Sequence, residues 1–209
     1  PSKSFSAFLS YVTTLQNKSR GCDQTPQNIL YIAEILEHYP HASIVHMIRD
    51  PRAILLSQKN RWRRPFLSDS IPKKEAIRYW LNYHPITMSQ LWKANVRTAD
   101  QFLEDERVYT LRYEDLLTEP EEEVEKVCQF VGITFSPDML KVPQVNSSSQ
   151  KDEPTQEGIN KGSADSLILG WLSSTEMFLC QKINISDMNT HRYEAESVFP
   201  TPILLVISE

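Results

Sequence analysis

A short apolar run at Ser43–Ile48 is the feature that most constrains the fold. It reads Ser-Ile-Val-His-Met-Ile, and a nearly unbroken run of this kind is typical of a strand that is buried on both faces of a parallel sheet. Proline-started helices are predicted on both sides of it, opened by Thr25-Pro26 and by Asp50-Pro51. A helix, a buried strand and a helix joined by short turns predict an α/β fold, with helices layered on the sheet.

The later part of the chain is predicted to alternate in the same way. A second strand is expected at Arg107–Tyr113. It follows a helical region at 71–99 that Pro85 divides and in which Trp92 is expected to anchor the packing. The sequence from Thr118 to Glu121 has the pattern of a capping box, and the helix that follows is expected to end at Gly132. A further short helix is predicted after Ser136, and a last helix is predicted to begin near Ser173 or Ser174.

The composition changes between residues 142 and 165, where Ser, Gln, Asn, Pro, Glu and Lys predominate. Such a stretch predicts a long mobile loop of the kind that often serves as a lid. The sequence therefore predicts one partial domain over residues 1–198, with this loop inside it, followed by a C-terminal tail at 199–209.

Composition excludes several classes of function. The formal net charge is −5, whereas nucleic-acid-binding proteins carry a basic excess, so no nucleic-acid partner is expected. No window approaches the roughly 18 consecutive apolar residues of a membrane span. The three cysteines form no C-x-x-C and the five histidines show no ligand spacing, so no metal site is expected. The five glycines form no nucleotide-binding motif of either common type.

The candidate site lies where the predicted strands end. Arg49 follows the first strand, and the carboxyl edge of a sheet is where α/β proteins bind ligands. The next helix directs free N–H groups into the same space, and Ser57 adds a hydroxyl about two turns along, which together suit a phosphate. Tyr113 ends the second strand at the matching edge. From spacing alone the alternatives stay open that Arg49 pairs with a carboxylate and that Tyr113 is half-buried under a helix.

Three segments together resemble the sulfotransferase superfamily that uses 3′-phosphoadenylyl sulfate (PAPS). Arg49-Asp50-Pro51-Arg52 with Ser57 matches the form R-D-P-R-x-x-x-x-S, and Tyr113-Glu114-Asp115-Leu116 matches Y-E-D-L. Upstream, Gln24-Thr25-Pro26-Gln27-Asn28 is similar to K-T-P-x-N, with Gln24 where the family usually has a lysine. The resemblance runs from about Cys22 to Pro137.

The resemblance implies a fold, a reaction and roles for particular residues. The fold is a central parallel sheet flanked by helices, P-loop nucleotide-kinase-like. The reaction is transfer of a sulfuryl group from PAPS to a hydroxyl or amine of a small-molecule, carbohydrate or protein acceptor, with no metal. Arg49 and Ser57 bind the 3′-phosphate of the cofactor, Tyr113 approaches the same nucleotide, and Lys161-Gly162 closes over it. Asp23 matches a carboxylate that acts as general base in some relatives.

The chain also departs from the family pattern. The family's G-x-x-R-S-G-T/S-T loop, which holds the 5′-phosphosulfate, has no match here, so we expect the domain to be incomplete at the N-terminus and this chain alone to have little or no activity. The missing loop and Gln24 favour the alternative of a non-catalytic binding protein that retains the 3′-phosphate site. A second alternative, a kinase-like phosphoryl transferase, is supported only by the shared type of fold. Sequons at Asn17, Asn146 and Asn184 fit a secretory-pathway enzyme, but localisation stays open between the cytoplasm and the Golgi lumen.

Overall fold

The computed structural model describes residues 2–66, 73–141 and 172–195. The strands in this part of the chain are β1 (Ile44–Ile48) and β2 (Val108–Arg112). The α-helices are α1 (Ser2–Leu15), α2 (Ile32–His38), α3 (Pro51–Phe66), α4 (Lys73–Tyr83), α5 (Pro85–Asp100), α6 (Tyr113–Thr118), α7 (Pro120–Val131) and α8 (Ser174–Thr190). Short 3₁₀ helices span Pro26–Tyr31 and Pro137–Leu140. The predicted loop at 142–165 and tail at 199–209 lie outside the described residues and stay predictions.

The two strands pair in parallel, with Ile44 opposite Val108 and Ile48 opposite Arg112. The helices α3, α4 and α5 connect them, as a parallel pair requires, because its strands cannot be joined by a hairpin. The predicted α/β architecture is confirmed, and both strands end at one edge of the sheet.

The prediction that the first strand is buried on both faces is wrong for the described part of the chain. His46 and Ile48 are buried, but Val45 and Met47 on the opposite face are 38% and 49% exposed. On that same face Leu111 of β2 is buried, so among the described residues the cover extends over β2 and not over β1. The apolar run predicts a strand, but it does not tell how many layers pack against it.

The covered face of β1 packs against α5 and α8. One cluster of buried side chains joins the end of β1 to both helices and comprises Ile48, Trp92, Val96, Met188 and Tyr193. A second cluster joins the strand starts to α2 and the end of α5 and comprises Ile32, Leu36, Ala99 and Val108. These contacts hold the strand ends against a rigid layer, because side chains in a close-packed interior have little freedom to move.

Helix ends follow local sequence signals in most places. Asp50 accepts a hydrogen bond from the backbone N–H of Arg52 at 2.7 Å and so caps α3. Ser173 and Glu176 form a reciprocal capping box at the start of α8. Gly132 ends α7 in the left-handed region, with φ 69° and ψ 47°, where glycine has no Cβ penalty.

Two predicted helix starts differ. The capping box predicted from Thr118 is wrong: Thr118 still belongs to α6, and its hydroxyl donates to the carbonyl oxygens of Glu114 and Asp115. The helix predicted after Thr25-Pro26 begins as a 3₁₀ turn, and Thr25 provides no side-chain cap. Its hydroxyl bonds a nearby carboxylate instead, so the local alternative outcompetes the cap.

Candidate functional site

The turn Arg49-Asp50 and the residue Tyr113 lie side by side at the carboxyl edge of the sheet. Because β1 and β2 are parallel and in register from Ile44 to Arg112, the residues that follow them come out on the same side. The guanidinium carbon of Arg49 lies 4.4 Å from the centroid of the Tyr113 ring, a cation–π contact. The structure therefore brings together two of the site residues that the sequence predicts.

Among the described residues, no neighbour neutralises the guanidinium of Arg49. No carboxylate in the part of the chain that the structure describes forms a salt bridge with it, and its Nε is buried with no hydrogen-bond partner there. A buried donor without an acceptor costs free energy, about 1–3 kcal/mol, more when it is charged. The open alternative of an Arg49–carboxylate pair is thus not what the described residues show, and the side chain is suited to an anionic ligand.

The neighbouring arginine, Arg52, has a different environment. Both oxygens of the Asp50 carboxylate accept hydrogen bonds from its guanidinium, at 2.6 to 3.0 Å, and both side chains are buried. Asp50 therefore compensates Arg52 and caps α3 at once. Asp50 does not compensate the positive charge of Arg49. The N-terminus of the 16-residue helix α3 adds a partial positive charge at the same edge of the sheet.

One peptide group at this edge is bonded on both sides. The carbonyl oxygen of Arg49 accepts a hydrogen bond from the indole Nε1–H of Trp92 at 2.8 Å. The backbone N–H of Asp50 donates to Oε1 of Glu114 at 2.9 Å. The sequence indicates Trp92 only as a packing residue and Glu114 only as part of a motif, so the contacts of both with the turn are found in the structure alone.

Ser57 lies on α3, about two turns after its start, and is half-buried. It therefore sits on the helix whose N-terminus adjoins Arg49, as the sequence predicts. Lys161 and Gly162 fall outside the described residues.

Asp23 forms a separate small structure before the first 3₁₀ helix. Its carboxylate accepts hydrogen bonds from the hydroxyl of Thr25 at 3.0 Å and from the amide Nδ2 of Asn28 at 2.6 Å, and both contacts are exposed. Thr25 and Asn28 are the residues of the T-P-x-N motif, so the motif here orients an exposed carboxylate. The structure does not place Asp23 in hydrogen-bond contact with Arg49 or Tyr113.

The described residues contain neither a cluster of metal ligands nor a membrane-spanning helix. In that part of the chain no group of three or more histidine, cysteine or carboxylate side chains is placed to hold a metal ion. Nor does any helix there combine the length and apolar character needed to cross a membrane.

A polar cleft that the sequence does not predict lies beside the turn. The cleft has a volume of about 390 Å³, and its lining includes Asp50, Glu114 and Tyr193. Tyr193 carried no sequence signal, because it lies 79 positions after its hydrogen-bond partner Glu114 and belongs to none of the three motifs.

Comparison with known proteins decides the family. The model of the family described as "Sulfotransferase family" matches residues 2–137, more than half of the chain. The chain belongs to the sulfotransferase family. The matched segment contains Arg49, Ser57 and Tyr113, and ends before Lys161-Gly162 and α8.

Sequence relatives of this sulfotransferase-family chain include proteins from nematodes and human. It is 26% identical over 137 residues to a Caenorhabditis briggsae protein named "Putative protein-tyrosine sulfotransferase", covering 65% of this chain and 45% of that one. It is 26% identical over 109 residues to human sulfotransferase 2A1, covering 52% of this chain and 38% of that one. The chain thus spans half or less of the length of these relatives.

Solved structures give the same fold. The sulfotransferase domain from the curacin biosynthetic pathway superposes with a TM-score of 0.57 at 18% identity, covering 90% of this chain and 68% of that domain. The sulfotransferase domain of the Synechococcus PCC 7002 olefin synthase superposes with a TM-score of 0.55, also at 18% identity, covering 83% of this chain and 58% of that one. The expected sulfotransferase fold is confirmed.

Proposed function

We propose that this sulfotransferase-family chain binds the nucleotide of PAPS at the carboxyl edge of its sheet, for transfer of a sulfuryl group to a hydroxyl or amine. The observation that carries the proposal is Arg49, which lies against Tyr113 with a buried Nε that has no partner among the described residues. A phosphate supplies the oxygen acceptors that this guanidinium lacks, and arginine binds phosphate through two parallel hydrogen bonds.

Each proposed binding residue has a distinct task. Arg49 and Ser57 bind the 3′-phosphate, with the N-terminus of α3 favouring its negative charge. Tyr113 holds the guanidinium from one face and offers its ring beside the nucleotide. Lys161-Gly162 is proposed to close over the phosphate. When bound, PAPS supplies the activated sulfuryl group, so the protein has to position, orient and stabilise charge.

Asp23 is proposed as the general base. In the transfer, a bond forms between the acceptor oxygen or nitrogen and sulfur, and the bond from sulfur to the 5′-phosphate oxygen breaks. The acceptor's proton passes to the Asp23 carboxylate, and adenosine 3′,5′-bisphosphate leaves with the electron pair. Thr25 and Asn28 fix this carboxylate by two hydrogen bonds while leaving it accessible, as a proton acceptor must be.

The acceptor is proposed only as a class: a small molecule, a carbohydrate or a protein. Relatives from Caenorhabditis briggsae and Caenorhabditis elegans are both named as protein-tyrosine sulfotransferases. The phenolic hydroxyl of a tyrosine in a protein is therefore one of the proposed acceptors. A non-catalytic protein that keeps only the 3′-phosphate site is the second candidate, because Gln24 replaces the usual lysine and no segment matches the 5′-phosphosulfate loop.

Titration calorimetry with adenosine 3′,5′-bisphosphate tests the binding site. Arg49→Ala should weaken binding by about 1.5–3 kcal/mol and Ser57→Ala by about 0.5–1.5 kcal/mol. Arg78→Ala, which removes an exposed arginine on α4, serves as the matched control and should bind like the wild type. Equal affinity of the wild type, Arg49→Ala and Ser57→Ala for the bisphosphate would reject the site. Thermal stabilisation of the chain by ATP with magnesium, and not by the bisphosphate, would indicate the kinase-like alternative.

Radiolabelled PAPS and a panel of acceptors separate an enzyme from a binding protein. In any form of the protein with measurable transfer, Asp23→Asn should lower kcat about 10²- to 10⁴-fold, the usual contribution of a general base, and leave bisphosphate affinity unchanged. Tight bisphosphate binding without transfer to any acceptor would favour the binding protein.

A further inference from the structure

The peptide group that joins Arg49 to Asp50 is clamped by two side chains from other elements. Trp92 donates to its carbonyl oxygen at 2.8 Å, and Glu114 accepts from its N–H at 2.9 Å. Because the C=O and the N–H belong to one planar unit, these two bonds fix the orientation of the plane. That orientation constrains the direction in which the Arg49 side chain leaves the backbone.

Glu114 is itself held from the far end of the chain. Its second oxygen, Oε2, accepts a hydrogen bond from the hydroxyl of Tyr193 at 2.8 Å. The Tyr193 ring is 3% exposed and lies 4.6 Å from the guanidinium carbon of Arg112. Burial raises the pKa of Tyr193, and the charge of Glu114 adds to this, so the hydroxyl stays protonated and remains a donor.

Both anchors of the clamp belong to one hydrophobic cluster. Trp92 and Tyr193 pack together with Ile48, the last residue of β1. The indole N–H and the phenol O–H therefore project from a single packed layer toward the same turn. Both side chains are buried, at 6% and 3% exposure, and close packing in this layer limits how far the two donors can move apart.

The clamp also continues the contacts between the two strands beyond their last paired residues. The register places Ile48 opposite Arg112. After that pair, the Arg49 guanidinium contacts the Tyr113 ring, and the backbone N–H of Asp50 donates to the Glu114 carboxylate. Without a carboxylate partner among the described residues, Arg49 depends on its backbone and on the Tyr113 ring for its direction. Glu114 binds the turn and directly follows Tyr113 in the chain, so it connects the backbone of the turn to the segment that carries the ring.

We propose that Trp92, Glu114 and Tyr193 are positioning residues that preorganise Arg49 for a phosphate, an inference that rests on the proposed function. Tyr193 lies outside residues 2–137, the segment that the family model matches. The site therefore depends on a residue just after α8, whereas the family motifs lie within residues 2–137.

Calorimetry with adenosine 3′,5′-bisphosphate on the full chain tests the clamp. Tyr193→Phe removes only the hydroxyl and should weaken binding about 3- to 10-fold, the range for one ordinary hydrogen bond. Glu114→Ala should weaken it more, whereas Glu114→Gln, which still accepts from Asp50 and bonds the Tyr193 hydroxyl, should stay within about 3-fold of the wild type.

A double-mutant cycle distinguishes positioning from a merely structural role. If Tyr193 acts through Arg49, Tyr193→Phe should have little further effect on affinity in the Arg49→Ala background. A structural role predicts the same loss in both backgrounds, or none. Equal losses, or unchanged affinity of Tyr193→Phe while Arg49→Ala binds weakly, would overturn this inference and leave the proposed function standing.

Amide hydrogen exchange supplies a readout that needs no ligand. Tyr193→Phe should speed exchange of the Asp50 amide by more than any change in the free energy of global unfolding accounts for, because the acceptor Glu114 loses its support. If the wild-type chain binds no bisphosphate, the proposed function fails and this exchange alone decides the clamp. Unchanged exchange at Asp50 would overturn it.

Discussion

Lys59 and Glu176 form an ion pair at 2.6 Å that joins the middle of α3 to the first turn of α8. Both side chains are largely buried, at 9% and 16% exposure. The same carboxylate accepts hydrogen bonds from the Tyr83 hydroxyl and from the backbone N–H of Ser173. One side chain thus caps α8 and attaches it to α3 and α4, which makes the position of α8, and so of Tyr193, dependent on Glu176.

This arrangement predicts acid sensitivity. Burial raises the pKa of Glu176, but the hydrogen bonds from Lys59, Tyr83 and Ser173 outweigh it and hold the pKa below its ordinary value. A lowered folded pKa contributes stability that is present above the ordinary glutamate pKa and is lost as the pH falls through the folded value. Urea denaturation should therefore show a steeper acid loss in the wild type than in Glu176→Gln.

The loss of stability on removing Glu176 at neutral pH is a second measure of the Lys59–Glu176 ion pair. Glu176→Ala leaves the buried Lys59 ammonium without this partner and should lower the free energy of unfolding by about 3 kcal/mol. Glu122→Ala, which removes an exposed partner of Lys126 on α7, is the control and should change it by less than about 1 kcal/mol. Equal effects of the two variants would contradict the role given to Glu176.

Local signals made much of the fold predictable. Asp50, Ser173 and Gly132 act within a few residues of themselves, as a cap, a capping box and a left-handed helix end. Sequence alone is enough for such features, because their energetics depend on neighbours along the chain. The strand ends and the pairing of Arg49 with Tyr113 follow from the parallel arrangement once two strands are recognised.

The remaining features depend on contacts between distant segments. The exposure of Val45 and Met47 depends on which layers cover the sheet, and the apolar pattern of a strand carries no information on that. The bonds from Trp92 to Arg49 and from Tyr193 to Glu114 span 43 and 79 positions. No local pattern distinguishes these side chains from ordinary core aromatics, so the sequence predicts Trp92 only as a packing residue.

A buried histidine on β1 predicts a second pH dependence, nearer neutrality. Burial and, to a lesser extent, the charge of nearby His191 lower the pKa of His46, Asp100 opposes them, and the resulting pKa is about 4. Because the folded pKa lies below the unfolded value of 6.5, the unfolded chain binds the proton first. Stability should therefore fall as the pH drops from about 6.5 to 4, by up to about 3 kcal/mol.

Urea denaturation at pH 7, 5.5 and 4.5 checks this dependence, with His46→Asn as the variant that cannot titrate. The wild type should lose stability over this interval, and the variant should lose less. The carboxylate of Glu176 titrates at lower pH, so the two effects separate along the pH axis. A His46 imidazole that titrates above pH 6 in NMR spectra of the folded chain would contradict the prediction.

The left-handed end of α7 predicts that substitutions of Gly132 lower stability by graded amounts. At Gly132, with φ 69°, the one atom of the described residues that an added Cβ would meet within 4 Å is Arg20 Nη2, at 3.8 Å, which is ordinary contact. The cost of a side chain is therefore conformational, about 1–2 kcal/mol for Gly132→Ala. Gly132→Asn should cost less, since asparagine tolerates this region. Equal stability of the glycine and alanine forms in thermal unfolding would show that the helix ends differently.

The two sequons within the described residues are predicted to differ in reactivity. Asn184 is fully buried in α8, where its Nδ2 donates to the Cys180 carbonyl at 2.9 Å, so a glycan there is incompatible with the packing of the helix. Asn17 is exposed in the turn after α1, with φ 51°, and is accessible to a glycan. The exposed hydroxyl residues Ser19 and Ser186 complete the two sequons, and each can be replaced without touching the asparagine.

The chain carrying an added signal peptide and Asn146→Gln, expressed through the secretory pathway, isolates these two sites. Folded, secreted protein should carry one glycan, seen as a mass shift that a glycan-removing amidase abolishes. Ser19→Ala should eliminate the shift, because the sequon at Asn17 is lost. Ser186→Ala should leave it intact, because Asn184 is unmodified in the packed helix. A glycan mapped to Asn184 in folded protein would contradict the burial of this side chain and, with it, the packing of α8 that places Tyr193.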